Sequence, residues 1–217
     1  MTWWWMAPVA AYLLGSLSFA WMAGKYKGID LRQHGSGNLG ATNAGRVLGG
    51  RWFIAVFTAD VLKGLLPVLV VTQLAPETVP GAAYLPLAVA VGAIFGHIFT
   101  CFHGLRGGKA VATSLGVLIG LFPLVALIAF VVWLLVWGIG CVARLGRSNA
   151  VGPASVVAAV VAPIAEVLLS RDPWGQDLPR SVFIIALAAL VVIKHRSNLH
   201  KLFARRATPP TSPPAQT

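Results

Sequence analysis

Acidic residues are scarce in this chain: Asp and Glu together number 6 among 217 residues, and charged residues of both signs make up only 11%. A soluble domain of this length carries about 25% charge and about 45–50% apolar residues. At 57% hydrophobic and a mean hydropathy of +0.78, the chain falls outside that class and reads as an all-α integral membrane protein. Cysteine is nearly absent too. Cys101 and Cys141 lie in apolar stretches, which predicts free thiols and excludes a disulfide framework. No Cys cluster and no H-E-x-x-H pattern occurs, so no metal site and no cofactor are expected. A basic n-region is missing as well, so the N-terminal apolar run predicts a span and not a cleavable signal.

What the chain has instead is long apolar runs. A span needs roughly 20 apolar residues. Candidates are Trp3–Gly24, Trp52–Leu74, Tyr84–Phe102, Val151–Ser170 and Pro179–Ile193. The stretch Ala110–Leu145 has no charge until Arg144. As one helix it would be about 54 Å long, against a hydrocarbon core of about 30 Å. Pro123 predicts a hairpin there, with a short helix before it and a full one after it. The total is seven transmembrane helices. Of the 17 basic residues, all but Lys63, Arg171 and Arg180 then fall on one side. The positive-inside rule makes that side cytoplasmic, with the N-terminus outside and the C-terminus in the cytoplasm. This role, together with anionic ligands, accounts for the net charge of +11, so no nucleic acid is expected. Residues 1–206 read as a single membrane-embedded domain, and 207–217 as a disordered Pro-rich tail.

Three cassettes interrupt the apolar runs, all on the predicted cytoplasmic side. The first is Gly35-Ser36-Gly37-Asn38-Leu39-Gly40-Ala41-Thr42-Asn43, followed by Arg46. It fits G-x-G-x-x-G, but a membrane span precedes it and no strand does, so a dinucleotide fold is not expected. A plain Gly/Asn turn would explain the glycines and leave the crowding of Ser36, Asn38, Thr42, Asn43 and Arg46 unexplained. The second is Gly104-Leu105-Arg106-Gly107-Gly108-Lys109. It lacks P-loop spacing and has Ala110 where a magnesium-binding hydroxyl would stand. Both cassettes suit phosphate: glycine lets backbone N–H groups approach an anion, and Lys or Arg neutralises it. The alternative for the second is an ordinary positive-inside loop. The third cassette is Lys194-His195-Arg196-Ser197-Asn198. No carboxylate sits in any of the three, so no His–Asp dyad or triad is expected. Asp60 and Lys63, three apart in the second span, predict an interior ion pair.

In their order, these motifs resemble a known family. Gly35–Arg46, Asp60-Val61-Leu62-Lys63-Gly64, Gly96-His97 with Gly107-Gly108-Lys109 and Val111-Ala112-Thr113, and His195-Arg196-Ser197-Asn198-Leu199 look like the successive motifs of the bacterial acyl-phosphate:glycerol-3-phosphate acyltransferases, the PlsY family. The likeness runs from about Tyr12 to Phe203. It implies a seven-span enzyme of the bacterial inner membrane with its site facing the cytoplasm. The implied reaction moves a fatty acyl group from acyl phosphate to the 1-hydroxyl of sn-glycerol 3-phosphate, an early step of phospholipid synthesis. Carried over, Ser36, Lys109, His195 and Asn198 take catalytic positions. Gly37, Asn38, Gly40, Thr42, Asn43, Arg46, Gly107, Gly108 and Ser155 take substrate-binding ones. The chain departs from the family pattern at Thr100, Arg106, Ala110, Ala150, Gly152 and Ser197. The expected partners are glycerol 3-phosphate, acyl phosphate and membrane lipid, with no obligatory protein partner. A transporter of a phosphate-bearing metabolite would use the same cassettes, but the chain lacks the internal repeat that marks many transporters.

Overall fold

The computed structural model describes the backbone of residues 2–207 and the side chains of residues 2–198. Of the segment 207–217 expected to be a disordered tail, Ala207 ends a helix and the remaining residues lie outside the described ones. Among the described residues every regular element is helical. In chain order the α-helices are α1 Ala7–Ser16, α2 Phe19–Tyr26, α3 Ala41–Leu48, α4 Gly50–Leu74, α5 Leu85–Ile98, α6 Val111–Leu121, α7 Pro123–Val142, α8 Arg147–Leu169 and α9 Leu178–Ala207.

Among the described residues, six segments are long and apolar enough to cross a membrane: Thr2–Tyr26, Gly50–Leu74, Ala82–His103, Pro123–Val142, Arg147–Leu169 and Leu178–Asn198. The expected seventh, α6, has 11 residues. It is about 16 Å long, roughly half the bilayer core. Pro123 does break the chain as expected, since Phe122 leaves helical geometry just before it and α7 begins on it. The ends of α6 nonetheless reach the two ends of the α9 span. Lys109, just before α6, donates to Asn198 Oδ1, and the Leu121 carbonyl accepts from Arg180 Nη2 at 3.4 Å. Long cationic side chains thus extend the reach of this short helix at both ends.

The first span is broken, which the apolar run did not signal. Leu17 takes an extended conformation between α1 and α2. An unpaired carbonyl inside a bilayer costs several kcal/mol, and the two at the break itself, Ser16 O and Leu17 O, have side-chain partners. Thr100 Oγ1 donates to Ser16 O at 2.7 Å, and Lys63 Nζ donates to Leu17 O at 2.7 Å. The Ser18 hydroxyl caps α2 by accepting from Trp21 N. Lys63 also meets Asp60 at 2.9 Å, forming the interior ion pair expected from their spacing.

Without a hydrophobic force between helices in lipid, close packing needs small residues. A β-carbon at Gly15 would overlap the Ala93 carbonyl, and one at Gly96 would overlap that of Tyr12, so α1 and α5 meet backbone to backbone. Gly64 and Gly116 do the same for α4 and α6. Helices α7, α8 and α9 pack in sequence beside them. Leu124, Leu127, Leu135, Ile139, Leu168 and Ile193 point outward, as a lipid-facing surface requires.

Candidate functional site

Between α3, α4 and α6 on one side and α7, α8 and α9 on the other lies a cavity of about 1700 Å³. Common ligand pockets measure about 300–1,000 Å³, so this one has room for more than one small substrate. Its two ends differ in chemistry. One is polar, lined by residues 35–38 and 40–43, Arg46, Lys109, Arg147, Ser148, Asn149, His195 and Asn198. The other is apolar and runs along the bundle past Phe130, Trp133, Leu134, Ala162, Ile184 and Leu187. All three cassettes thus supply residues to a single chamber.

Three helices open their N-terminal residues onto the polar end: Ala41 and Thr42 of α3, Val111 and Ala112 of α6, and Arg147 to Asn149 of α8. The first N–H groups of a helix have no intrahelical partner and carry the positive end of its dipole. Arg46, Lys109 and Arg147 add three full positive charges. No carboxylate lies among the residues lining this end, although Asp60 reaches the cavity wall deeper in. Such an environment selects anions, and phosphate above all.

The first cassette is not only a loop, because its second half forms the start of α3. Gly35 and Gly37 adopt φ of +63° and +71°, which glycine tolerates at no steric cost. The turn is held by Asn43, 1% exposed, whose Oδ1 accepts from Ser36 N at 2.8 Å. Its Nδ2 donates to Leu31 O and His34 O, both at 3.0 Å. Both donors of the Asn43 amide are therefore committed to the loop, and it shapes the site where substrate contact was expected. Asn43→Ala strips the partners from the Ser36 N–H and the Leu31 carbonyl, whereas His34 O keeps its bond from Gly37 N. Each orphaned buried group costs about 1–3 kcal/mol. Hydrogen exchange of the Ser36 amide should accelerate by about tenfold or more; an unchanged rate would mean that Asn43 does not hold the turn.

Gly107 and Gly108 also differ from expectation. Their N–H groups donate back to Ile98 O at 3.0 Å and His97 O at 3.1 Å, so neither is available to cradle phosphate. They pack against His97, and neither lines the large cavity. Lys109 does line it, and its Nζ donates to Asn198 Oδ1 at 2.5 Å. The third cassette, expected to follow a span ending at Ile193, is a continuation of α9. Helical spacing places His195 and Asn198 on one face, toward the cavity. His195 is buried, and its Nδ1 lies 2.8 Å from Val191 O. A carbonyl only accepts, so Nδ1 carries the proton and Nε2 keeps a lone pair in the neutral ring. Asn198 has room because residue 152 is glycine: a β-carbon there would come within 2.9 Å of its Nδ2.

Ser155 reaches the cavity wall, but its hydroxyl is engaged twice. It donates to Val151 O at 2.8 Å and accepts from Trp133 Nε1 at 3.1 Å. It therefore fixes Trp133 along the apolar end, where a substrate-binding role was expected. Ser36, Asn38, Gly40, Thr42 and Arg46 all line the polar end as a group. Sequence reasoning missed Arg147, Ser148 and Asn149 as a cluster. The available signal is a basic residue right after Gly146 at the start of a span, where it also serves the charge asymmetry of the chain. Among the described residues, no group of three His, Cys, Asp or Glu side chains is placed to hold a metal ion.

A helical bundle that sinks a positively charged chamber into an apolar channel defines an integral membrane protein whose cavity suits amphiphilic, phosphate-bearing molecules. Residues 5–205 match the model of the glycerol-3-phosphate acyltransferase family, and the chain belongs to that family. Glycerol-3-phosphate acyltransferases of Pseudomonas paraeruginosa and Trichlorobacter lovleyi are 40% and 42% identical to it. The alignments cover 93% and 92% of this chain, and 97% and 93% of those proteins. The enzyme of Halalkalibacterium halodurans is 37% identical, with 92% of each chain covered. Among solved structures, the glycerol 3-phosphate form of PlsY (YgiH), an integral membrane glycerol 3-phosphate acyltransferase, superposes with a TM-score of 0.78 at 35% identity, covering 94% of this chain and 93% of that one. Its lysophosphatidic acid form gives 0.75 at 32% identity with the same coverage.

Proposed function

We propose that this acyltransferase uses acyl phosphate as donor. It moves the fatty acyl group to the 1-hydroxyl of sn-glycerol 3-phosphate and releases lysophosphatidate and phosphate. One observation carries this reading: three helix N-termini and three cations face the same chamber, and that chamber continues into an apolar channel. The polar end has positive charge for two phosphate groups, and the channel suits an acyl chain. Gly37, Asn38, Gly40, Thr42 and Arg46 bind phosphate together with the start of α3, and the Ser36 hydroxyl is a donor for the developing oxyanion. Lys109, His195 and Asn198 face the reacting carbonyl. The hydroxyl oxygen attacks the carbonyl carbon, the bond from that carbon to the phosphate oxygen breaks, and phosphate leaves with the electron pair. Acyl phosphate is a mixed anhydride, so no covalent enzyme nucleophile is needed. Holding the reactants in place can supply about 7–11 kcal/mol, and each donor on the developing oxyanion about 2.7–4 kcal/mol.

The hydroxyl proton goes to a substrate phosphate oxygen. His195 Nε2 is the protein alternative. In a His195→Gln enzyme that retains measurable turnover, the pH–rate profile should keep its shape. Loss of its rising limb would assign the proton to His195.

Residues 1–206 form one membrane-embedded domain of the bacterial inner membrane, acting without an obligatory protein partner. Its polar chamber opens to the cytoplasm and its N-terminus lies outside. Helix α6 with its flanks makes a seventh crossing, which the contacts of its ends with Asn198 and Arg180 support. With Cys101 and Cys141 replaced by serine, a single cysteine at Ser197 should react with an impermeant thiol reagent only from the cytoplasmic face, and one at Thr78 only from the outside. Reversed labelling would overturn the orientation, and labelling of both from one side would break the crossing count. The transporter reading is tested in proteoliposomes. Turnover to lysophosphatidate without counterflow of glycerol 3-phosphate fits the enzyme, and counterflow without product would replace it.

A further inference from the structure

We propose that His97, held by Asp60 and Thr113, is a positioning residue that sets the direction of Lys109; this rests on the acyl-transfer reading above. His97 lies in the last turn of α5 and is 6% exposed. Its Nδ1 sits 3.1 Å from Thr113 Oγ1 and 3.6 Å from Asp60 Oδ1. Asp60, Lys63 and Thr113 are buried with it. Charged groups this deep in a bundle are costly and call for a reason. Lys63 has one, since it caps the Leu17 carbonyl at the break in the first span. That role does not explain why an imidazole ring stands between Asp60 and the second cassette.

The opposite edge of the ring supplies the explanation. A β-carbon at residue 108 would overlap His97 Nε2, and one at residue 107 would overlap the His97 carbonyl oxygen. The same two residues donate their N–H groups to Ile98 and His97. The chain leading to Lys109 therefore rests on His97 through both packing and hydrogen bonds. The loop is also bent into unfavourable backbone geometry. Leu105 and Ala110 take φ of +59°, although neither is glycine. Such residues persist only where their surroundings over-determine them, and they cluster at functional sites. Lys109 lies between the glycine that rests on the ring and the left-handed Ala110, and from there its side chain reaches Asn198. Asp60 and His97 also reach the cavity wall, so the support stands directly beside the chamber.

The test is a mutant cycle in purified, detergent-solubilised protein. His97→Asn keeps a polar atom toward Thr113 and Asp60 and removes the ring edge beneath residue 108. Gly108→Ala adds the methyl group that meets that edge. His97→Asn is expected to lower kcat about tenfold, with the glycerol 3-phosphate KM changed less than about threefold, because a misaimed group costs turnover more than binding. Gly108→Ala should lose about 100-fold. The double variant should recover about tenfold over Gly108→Ala, since the smaller side chain vacates the space. A kcat within threefold of wild type for His97→Asn would overturn the proposal. So would a double variant no more active than Gly108→Ala. If Gly108→Ala yields no folded protein, recovery of folded protein in the double variant replaces that comparison, and its absence counts against the contact. Wild type is assayed alongside. If it forms no lysophosphatidate from acyl phosphate, the donor assignment fails, and the melting temperatures of the same four proteins then decide. Non-additive shifts support the His97–Gly108 contact, and additive ones overturn it.

Discussion

Replacing Lys109 with alanine should lower kcat by about 10- to 150-fold, the equivalent of one lost charge-assisted contact of about 1.5–3 kcal/mol. The loss should exceed that of a typical surface charge for two reasons. Lys109 stands at the N-terminus of α6, where side-chain charge and helix dipole add. It also donates to Asn198, so its removal releases a second polar side chain of the chamber. Charge moving onto the departing phosphate strengthens the contact in the transition state, so the effect belongs mainly in kcat. Lys27→Ala is the matched control, because Lys27 lies outside the chamber against Tyr26 and Trp52. Steady-state kinetics varying each substrate separately would measure both. Equal kcat in the two variants at equal expression would remove Lys109 from the chemistry.

The second large effect is on folding. Gly116→Leu should abolish monodisperse protein, or leave activity at least about 100-fold down in any that survives. A β-carbon at Gly116 would overlap the Val61 carbonyl, and one at Gly64 would overlap that of Thr113. The backbones of α4 and α6 are therefore in contact, and a leucine must drive them apart. Even modest overpacking costs about 1–3 kcal/mol, and here no flexible side chain can yield. Because α6 carries Lys109 at its start, the site is lost along with the packing. Gly138→Leu in α7 should be harmless by contrast, since open space surrounds that glycine. Size-exclusion profiles and melting temperatures of the two variants decide the matter. A Gly116→Leu protein that elutes and melts like wild type would contradict the close approach.

Composition and charge asymmetry made much of this legible before any coordinates. The apolar runs marked the six long spans, Pro123 marked the break after α6, and the three cassettes were singled out for one site. What escaped the sequence was non-local. Asn43 and Ser36 are neighbours in sequence, yet nothing in the string says that the amide folds back on the turn. The Ser155 hydroxyl is occupied by Trp133, 22 residues away on another helix. Gly107 and Gly108 read as a phosphate cradle because glycine permits close approach of any group, and here that group is His97. The last apolar run ends at Ile193, but no Gly or Pro follows Pro179 until Pro209, so nothing local stops α9 from continuing through His195 and Asn198. Arg147 was counted for its sign. Its place beside Arg46 and Lys109 appears only once α8 and α3 share the chamber.

The most direct measurement of the proposed reaction uses purified protein in detergent with palmitoyl phosphate and glycerol 3-phosphate, following lysophosphatidate by mass spectrometry and inorganic phosphate in parallel. Both products should appear in equal amounts, and palmitoyl-CoA should not replace palmitoyl phosphate. Lysophosphatidate formed from palmitoyl-CoA alone, or no product from either donor, would contradict acyl phosphate as the substrate of this chamber.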